Sequence, residues 1–225
     1  MGHVIADLLP YAEGVAISPM PIMVVILMLF TARGRGNGSA FLVGWMASLA
    51  IAGGVVLLVS GARGLSVGSG SSVLGPGVKL LLGLLFFFLA YREWRKRPHP
   101  GEEPDMPKWA DSIDSFTPFV ALGIAILMGG LSPKNLSLTL AAALTLAEAD
   151  LEVAQTVIGL GAFILLASLT VAVPVLYDLL AGDSAEEPLK GWRAWLSANS
   201  ATVMFILFLV FGMVLLGKGI GGLIG

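Results

Sequence analysis

The chain of 225 residues contains no cysteine and only two histidines, and 12% of its residues are charged. Without cysteine it can form no disulfide, use no catalytic thiol and bind no metal through thiolate. His3 and His99 lie in a predicted tail and a predicted loop, so both are expected to be solvated. A soluble domain carries about 25% charged residues. This chain has too few charges to cover a surface that faces water, and its net charge of −2 gives no basis for binding nucleic acid.

Long apolar segments take the place of the missing charge. Hydrophobic residues make up 56% of the sequence, and its mean hydropathy is +0.90. A helix needs about 20 apolar residues to cross about 30 Å of hydrocarbon. Six segments meet this length: 11–32, 39–60, 74–94, 116–147, 153–180 and 199–217. Their hydrophobicity runs all round the helix, which predicts an all-α polytopic membrane protein with six transmembrane helices. No cofactor is expected.

Lysine and arginine are distributed unequally over the predicted loops. Loops 33–38, 92–115 and 181–195 share one side and hold nine basic residues, whereas the other side holds three. Because positively charged loops stay in the cytoplasm, these three loops are predicted to be cytoplasmic. The sequence therefore predicts a multi-pass protein of the plasma (inner) membrane with both termini outside.

The two halves of the sequence resemble each other. "AISPMPIMVVILMLFTA" (16–32) aligns with "GLSPKNLSLTLAAALTLA" (130–147), and each places a Ser-Pro pair within the first span of its half. Three spans per half is an odd number, so the second half must run opposite to the first. Inverted repeats with broken helices are typical of transporters, whose binding site lies near the midplane. The predicted organisation is a three-helix repeat at 1–98, a cytoplasmic linker loop at 99–115 and a second three-helix repeat at 116–225.

The second Ser-Pro pair is followed by Lys134 and Asn135, two polar residues at predicted membrane depth. Pro133 lacks an N–H and breaks the helix, and the freed backbone groups are tolerated in lipid only where they line a cavity or pack in protein. The new half-helix presents its positive end to an anion, and Lys134 adds a full charge. Two structural alternatives stay open: simple packing kinks at Pro19 and Pro133, and snorkelling of Lys134 to an interface. Otherwise, an ionisable residue inside the membrane indicates a functional site.

Four further charged residues are candidates for headgroup or proton binding. Glu13 could pair with Lys134, carry a proton or simply face outside. Asp178 ends the fifth span, where it is either a relay or a solvated helix end. Arg33 and Arg35 follow the first span on the predicted cytoplasmic side, where they could bind anionic headgroups as well as set the topology.

With these motifs in view, the chain resembles the lysine-exporter (LysE) superfamily, and within it the GAP branch of peptidoglycolipid or sulfolipid addressing proteins. The resemblance rests on "AISPMPIMVVILMLFTARGRGNGSAFLVGW" (16–45) and "LSPKNLSLTLAAALTLA" (131–147). It implies delivery of a lipid or glycolipid across the plasma membrane, in concert with lipid-synthesis enzymes. By motif match, it implies a paired site formed by Ser18, Pro19, Pro21, Ser132, Pro133, Lys134 and Asn135. The superfamily motif usually reads Asn-Pro-Lys, whereas this chain has serine at its first position.

Two classes of function stay open. The first is a transporter or flippase for an anionic lipid, or, as a variant, a small-molecule exporter of an amino acid or cation. The chain has no Walker A motif, so ATP hydrolysis within it is not expected. The second class is a non-transporting scaffold for lipid-synthesis enzymes, with loop 92–115 as the docking surface. No cluster of catalytic residues occurs at membrane depth, so an enzyme is not expected. Membrane lipids are the expected partners, and a homo-oligomer is an open alternative.

Overall fold

The computed structural model describes residues 2–62, 76–95, 108–149 and 151–224, and every regular element in these ranges is helical. The all-α prediction is therefore confirmed for the described part of the chain. Two short 3₁₀ helices cover Lys108–Ser115 and Gly182–Ala185. Within the described ranges the α-helices are α1 Gly2–Ala16, α2 Pro19–Leu29, α3 Gly34–Ala62, α4 Pro76–Arg95, α5 Pro118–Gly130, α6 Pro133–Glu148, α7 Val153–Ala181 and α8 Glu186–Ile224.

Both predicted helix breaks are present. The axes of α1 and α2 are bent by 58°, and those of α5 and α6 by 66°. Ser18 and Ser132 are extended, and the proline after each occupies the first turn of the next helix. A residue before proline is disfavoured in the α region, and proline fits the first helical position because its missing N–H would be unpaired there. The prediction of a proline-broken helix in each half is confirmed.

The lengths and compositions of the described helices bear on the predicted number of spans. By length and composition, the described residues contain two helices that could cross a membrane, or up to four spans if each bent pair counts as one. The first of the two is Gly34–Ser60 in α3. The second is the continuous stretch Val153–Gly222, which comprises α7, the short 3₁₀ helix and most of α8. The count of six spans stays a prediction.

Two predicted loops are wrong in extent. Loop 33–38 contains the start of α3 at Gly34, and most of loop 181–195 belongs to α8. Hydropathy indicates which residues favour lipid over water. It does not indicate where a helix ends, because a helix continues for as long as its backbone hydrogen bonds are made. Glu186 and Glu187 favour the positive start of α8, and Lys190 pairs with both across one turn. The first predicted span, 11–32, likewise corresponds to helices that already begin at Gly2. Of loop 92–115, residues 96–107 lie outside the described part of the chain, as does His99.

The chain divides into two compact units, each of which draws on both halves of the sequence. The first comprises Met1–Leu65 and Met106–Ala194, and the second comprises Ser66–Asp105 and Trp195–Gly225. In the first unit, α1 packs against α6 and α7, while α3 packs against α5, α6 and α7. In the second unit, Phe86 and Trp94 of α4 stack on aromatic rings of α8. The repeat boundaries at 98 and 116 stay a prediction, because compact units and sequence repeats are different properties.

The contact between α3 and α5 depends on a glycine. Phe41, Trp45 and Leu49 recur every four residues and form a fully buried face of α3, as helical periodicity requires. Gly44 lies beside this face, and a Cβ there would come within 2.5 Å of the carbonyl oxygen of Leu122 in α5. The two backbones can approach this closely only because residue 44 has no side chain.

We predict that Gly44→Ala destabilises the protein, whereas Gly54→Ala in the same helix does not. An added methyl at 44 meets backbone, and overpacking of this kind typically costs about 1–3 kcal/mol. At Gly54 nothing lies within 4 Å of the new Cβ. Thermal unfolding of the detergent-solubilised variants measures the difference. Equal melting temperatures for the two variants would contradict the close packing of α3 and α5.

Candidate functional site

The side chain of Lys134 joins the two helix breaks. It extends from the first turn of α6 to the end of α1, where its Nζ donates to the carbonyl oxygen of Gly14 at 2.8 Å and that of Ile17 at 3.1 Å. A third hydrogen bond, of 2.7 Å, goes to the hydroxyl of Ser18. An ammonium group has three N–H donors, so all three are in use. The snorkelling alternative does not describe this conformation, because the charged group of Lys134 is bound within the protein.

Other donors complete the end of α1. The hydroxyl of Ser18 donates to the carbonyl oxygen of Val15 at 2.8 Å, and its backbone N–H donates to that of Ala16 at 2.8 Å. The hydroxyl of Thr170 in α7 donates to the same Ala16 oxygen at 2.5 Å. The last carbonyls of a helix have no partner within it, and leaving one buried and unpaired costs about 1–3 kcal/mol. The break is therefore satisfied by protein groups from α6 and α7.

The first break presents acceptors rather than donors. Pro19 and Pro21 are buried at the first and third positions of α2, and neither has an N–H. The N–H of Ser18 is already bonded, so Met20 alone keeps a free first-turn donor by position. The negative end of the α1 dipole also lies here, where a cation is favoured. Lys134 supplies that cation.

The second break is held by Asn135. Its side-chain Nδ2 donates to the carbonyl oxygen of Met128 near the end of α5 at 3.1 Å. Its Oδ1 is buried without a hydrogen-bond partner among the described residues, as is the hydroxyl of Thr139 one turn further along the same face of α6. The hydroxyl of Ser132 makes no capping hydrogen bond, and Pro133 is exposed.

The structure brings the two parts of the predicted paired site together through Lys134 and Ser18. Their role in binding a substrate stays a prediction. Glu13 is exposed, and its carboxylate is not a partner of Lys134, so the alternative in which the two residues pair is not realised here.

The remaining candidates meet at a separate place. Arg33, Arg35 and Asp178 line a cavity of about 840 Å³, bordered by the α2–α3 connection, the start of α3, the end of α7 and the first turns of α8. The Nε of Arg35 lies 3.7 Å from Oδ2 of Asp178. We call this space the arginine cavity. Residues from two loops that were predicted to share the cytoplasmic side are thus found side by side.

Three functional candidates escaped the sequence-based prediction. Lys190 and Arg193 also line the arginine cavity. Their spacing of three residues would have placed them on one face if 181–195 had been taken as a helix. Asn37 is fully buried, and its Nδ2 donates to the carbonyl oxygen of Phe116 at 3.0 Å. It lies in "RGRGNG", whose glycines suggested a turn, and no sequence signal indicates this link between the two halves.

The described residues contain no group of three or more His, Cys, Asp or Glu side chains that could hold a metal ion.

Comparison with known families supplies an independent finding. Residues 8–221 match the family model described as Sap, sulfolipid-1-addressing protein. The match covers both breaks, Lys134 and the arginine cavity. No curated protein and no solved structure matches the chain.

We predict that Lys134→Met lowers the thermal stability of the solubilised protein. The apolar side chain cannot donate, so the buried carbonyl of Gly14 loses its partner at a cost of about 1–3 kcal/mol. Lys190→Met is the matched control, because Lys190 is exposed and surface ion pairs contribute little. If the Lys134→Met protein is as stable as the wild type, the hydrogen bonds of Lys134 between the two breaks (the Lys134 tie) do not stabilise the fold.

Proposed function

Because the chain belongs to the Sap, sulfolipid-1-addressing protein family, we propose that it exports or flips an anionic lipid or glycolipid across the plasma membrane. The family implies a role related to lipid, and the described helices are apolar enough for membrane insertion. The observation that carries the proposal is the tie between the two broken helices through Lys134. Broken helices that meet at a repeat interface form the binding site in many transporters.

The packing of the helices supports an inverted repeat. If α1, α2 and α3 correspond to α5, α6 and α7, each contact should have a counterpart with the halves exchanged. The α1–α7 contact corresponds to α5–α3, α2–α7 corresponds to α6–α3, and α2–α3 corresponds to α6–α7, and all of these pairs are in contact. The α1–α6 contact, which carries the bonds of Lys134, has no counterpart of similar extent between α5 and α2 among the described residues. In the proposed topology the two bent pairs, α3, α4, α7 and α8 make six spans with both termini outside.

An anionic headgroup would compete for Lys134. In the present conformation the ammonium is bound by two neutral carbonyls and a hydroxyl. A sulfate, phosphate or carboxylate would form stronger hydrogen bonds with the same donors, because the acceptor is then charged as well as the donor. Binding would therefore draw Lys134 away from Gly14, Ile17 and Ser18 and allow the breaks to separate. The acyl chains would stay in the bilayer between helices.

The prolines keep the site polar in both conformations. Pro19, Pro21 and Pro133 cannot complete a continuous helix, so the breaks persist when Lys134 leaves. Ser18 and Ser132 lie at equivalent positions before the prolines, and Asn135 holds the second break through Met128. Energy would come from an ion gradient, a partner or consumption of the lipid. Glu13, which is exposed, is the candidate proton carrier.

We predict that reconstituted protein moves fluorescent lipids with sulfated or phosphorylated headgroups across liposome membranes, and that Lys134→Ala slows this movement about tenfold or more. A hydrogen bond to a charged group contributes about 1.5–3 kcal/mol, and tenfold corresponds to about 1.4 kcal/mol. Lys134→Arg should retain much of the activity because it retains the charge. Dithionite quenching of lipid in the outer leaflet measures the rate.

Thr170→Val is the matched control for loss of a donor at the first break. It removes the hydrogen bond to Ala16 but leaves the charge of Lys134 in place, so lipid movement should stay near the wild-type rate. If no lipid moves although the wild-type protein is folded, a small-solute exporter or a scaffold for lipid-synthesis enzymes becomes the better hypothesis. Movement that is insensitive to Lys134→Ala would keep transport and remove this site.

A further inference from the structure

Basic side chains from three parts of the first unit converge on the arginine cavity. Arg33 comes from the α2–α3 connection, Arg35 from the first turn of α3, and Lys190 and Arg193 from the start of α8. The cavity volume of about 840 Å³ lies within the range of about 300–1,000 Å³ that is usual for ligand pockets. The space is large enough for a lipid headgroup.

The carboxylates of the cavity do not neutralise it completely. Asp178, Asp183 and Glu186 also line it. Lys190 is paired with Glu186 at 2.8 Å and with Glu187 at 3.0 Å. Arg33 has no ion pair within the described part of the chain. Arg33 is therefore available to a ligand.

The pair between Arg35 and Asp178 is a weak one. Its Nε–Oδ2 distance is 3.7 Å, which is too long for a hydrogen bond. The Oδ2 atom of Asp178 is buried and accepts no hydrogen bond from any described residue. An arginine fork normally binds an oxyanion through two parallel hydrogen bonds. Here its donors are held near a carboxylate without being satisfied by it.

Two glycines shape the backbone on either side of this arginine. Gly182 ends α7 with a φ of +56°, in the left-handed region that favours glycine. A Cβ at this position would lie 3.5 Å from Nη2 of Arg35. At Gly34, a Cβ would collide with the carbonyl oxygen of Leu29, so the turn that carries Arg33 and Arg35 can close tightly only with glycine.

We infer that the arginine cavity receives a tetrahedral oxyanion, a sulfate ester or phosphate, and that this anion replaces Asp178 as the partner of Arg35. Several oxygens in a tetrahedral arrangement can accept from Arg33, Arg35 and a residue of α8 at once, whereas the single carboxylate of Asp178 does not. The identification of that anion as a lipid headgroup rests on the proposed function. The cavity would then take up the headgroup on the predicted cytoplasmic side.

If the anion replaces Asp178 as the partner of Arg35, variants of the arginines and of Asp178 should change the binding affinity in opposite directions. Arg35→Gln and Arg33→Gln remove donors, so each should weaken binding of a sulfated galactosylceramide about tenfold. Asp178→Asn removes the competing charge, so it should strengthen the same binding. Arg92→Gln, at an exposed position of α4 that does not line the cavity, is the control and should leave binding unchanged. Binding is measured by titration of the purified full-length chain in phosphatidylcholine nanodiscs.

Two further titrations test whether the bound anion is a lipid headgroup or a free inorganic ion. Unsulfated galactosylceramide should bind at least tenfold more weakly than its sulfated form. Inorganic sulfate, titrated against chloride at equal ionic strength, should bind through the same residues but more weakly than the lipid. If inorganic sulfate binds as tightly as the lipid, the cavity is an oxyanion site and the lipid assignment is overturned.

The inference is overturned if Arg33→Gln and Arg35→Gln both bind the sulfated lipid as the wild type does, or if Asp178→Asn weakens binding. These outcomes are separate from failure of the proposed function, because binding is measured without transport. Lost lipid movement with this binding pattern intact would count against transport alone.

Discussion

The structure depends on satisfying the backbone carbonyls that a broken helix leaves unpaired in apolar surroundings. At the end of α1 this requirement is met from the opposite half of the chain, by the ammonium of Lys134 and the hydroxyl of Thr170. The arrangement requires no carboxylate, because the ammonium lies at the negative end of a helix dipole, which stabilises its charge. It also makes the two breaks dependent on each other, since moving α6 away from α1 leaves both the ammonium and the carbonyls without partners.

Helix α7 links this tie to the arginine cavity. Thr170 contacts the first break, and Asp178 approaches Arg35 further along the same helix, near its C-terminal end. Eight residues separate them, which is about 12 Å along a helix. A displacement of α7 that brings Asp178 away from Arg35 would also strain the bond from Thr170 to Ala16. In the proposed mechanism, uptake of an anion in the cavity and opening of the breaks can therefore be coupled through α7, whose contacts with α1 extend beyond this one bond.

Much of this architecture could be predicted from the sequence because proline acts locally. The Ser-Pro pairs located both breaks, and the charge of Lys134 predicted a functional site at the second break, which stays a prediction. The partners of Lys134 could not be predicted, because backbone carbonyls look the same in every sequence and their availability depends on where α1 ends in space. Arg33, Arg35 and Asp178 were separate candidates, but their meeting with Lys190 and Arg193 in one cavity was missed for a related reason. Hydropathy placed 33–38 and 181–195 in loops, whereas the helical starts of α3 and α8 bring Arg35, Lys190 and Arg193 together.

The most direct test of the central claim is the distance between the two breaks while lipid is bound. The chain has no cysteine, so Ile17→Cys and Leu131→Cys, at exposed positions of the two breaks, can carry the only two nitroxide labels. Double electron–electron resonance in phosphatidylcholine nanodiscs should give one narrow distance distribution. Under the proposed function, addition of a sulfated lipid should add a population at longer distance. An unchanged distribution under conditions of active lipid movement would show that the Lys134 tie stays closed, and that the lipid takes another route.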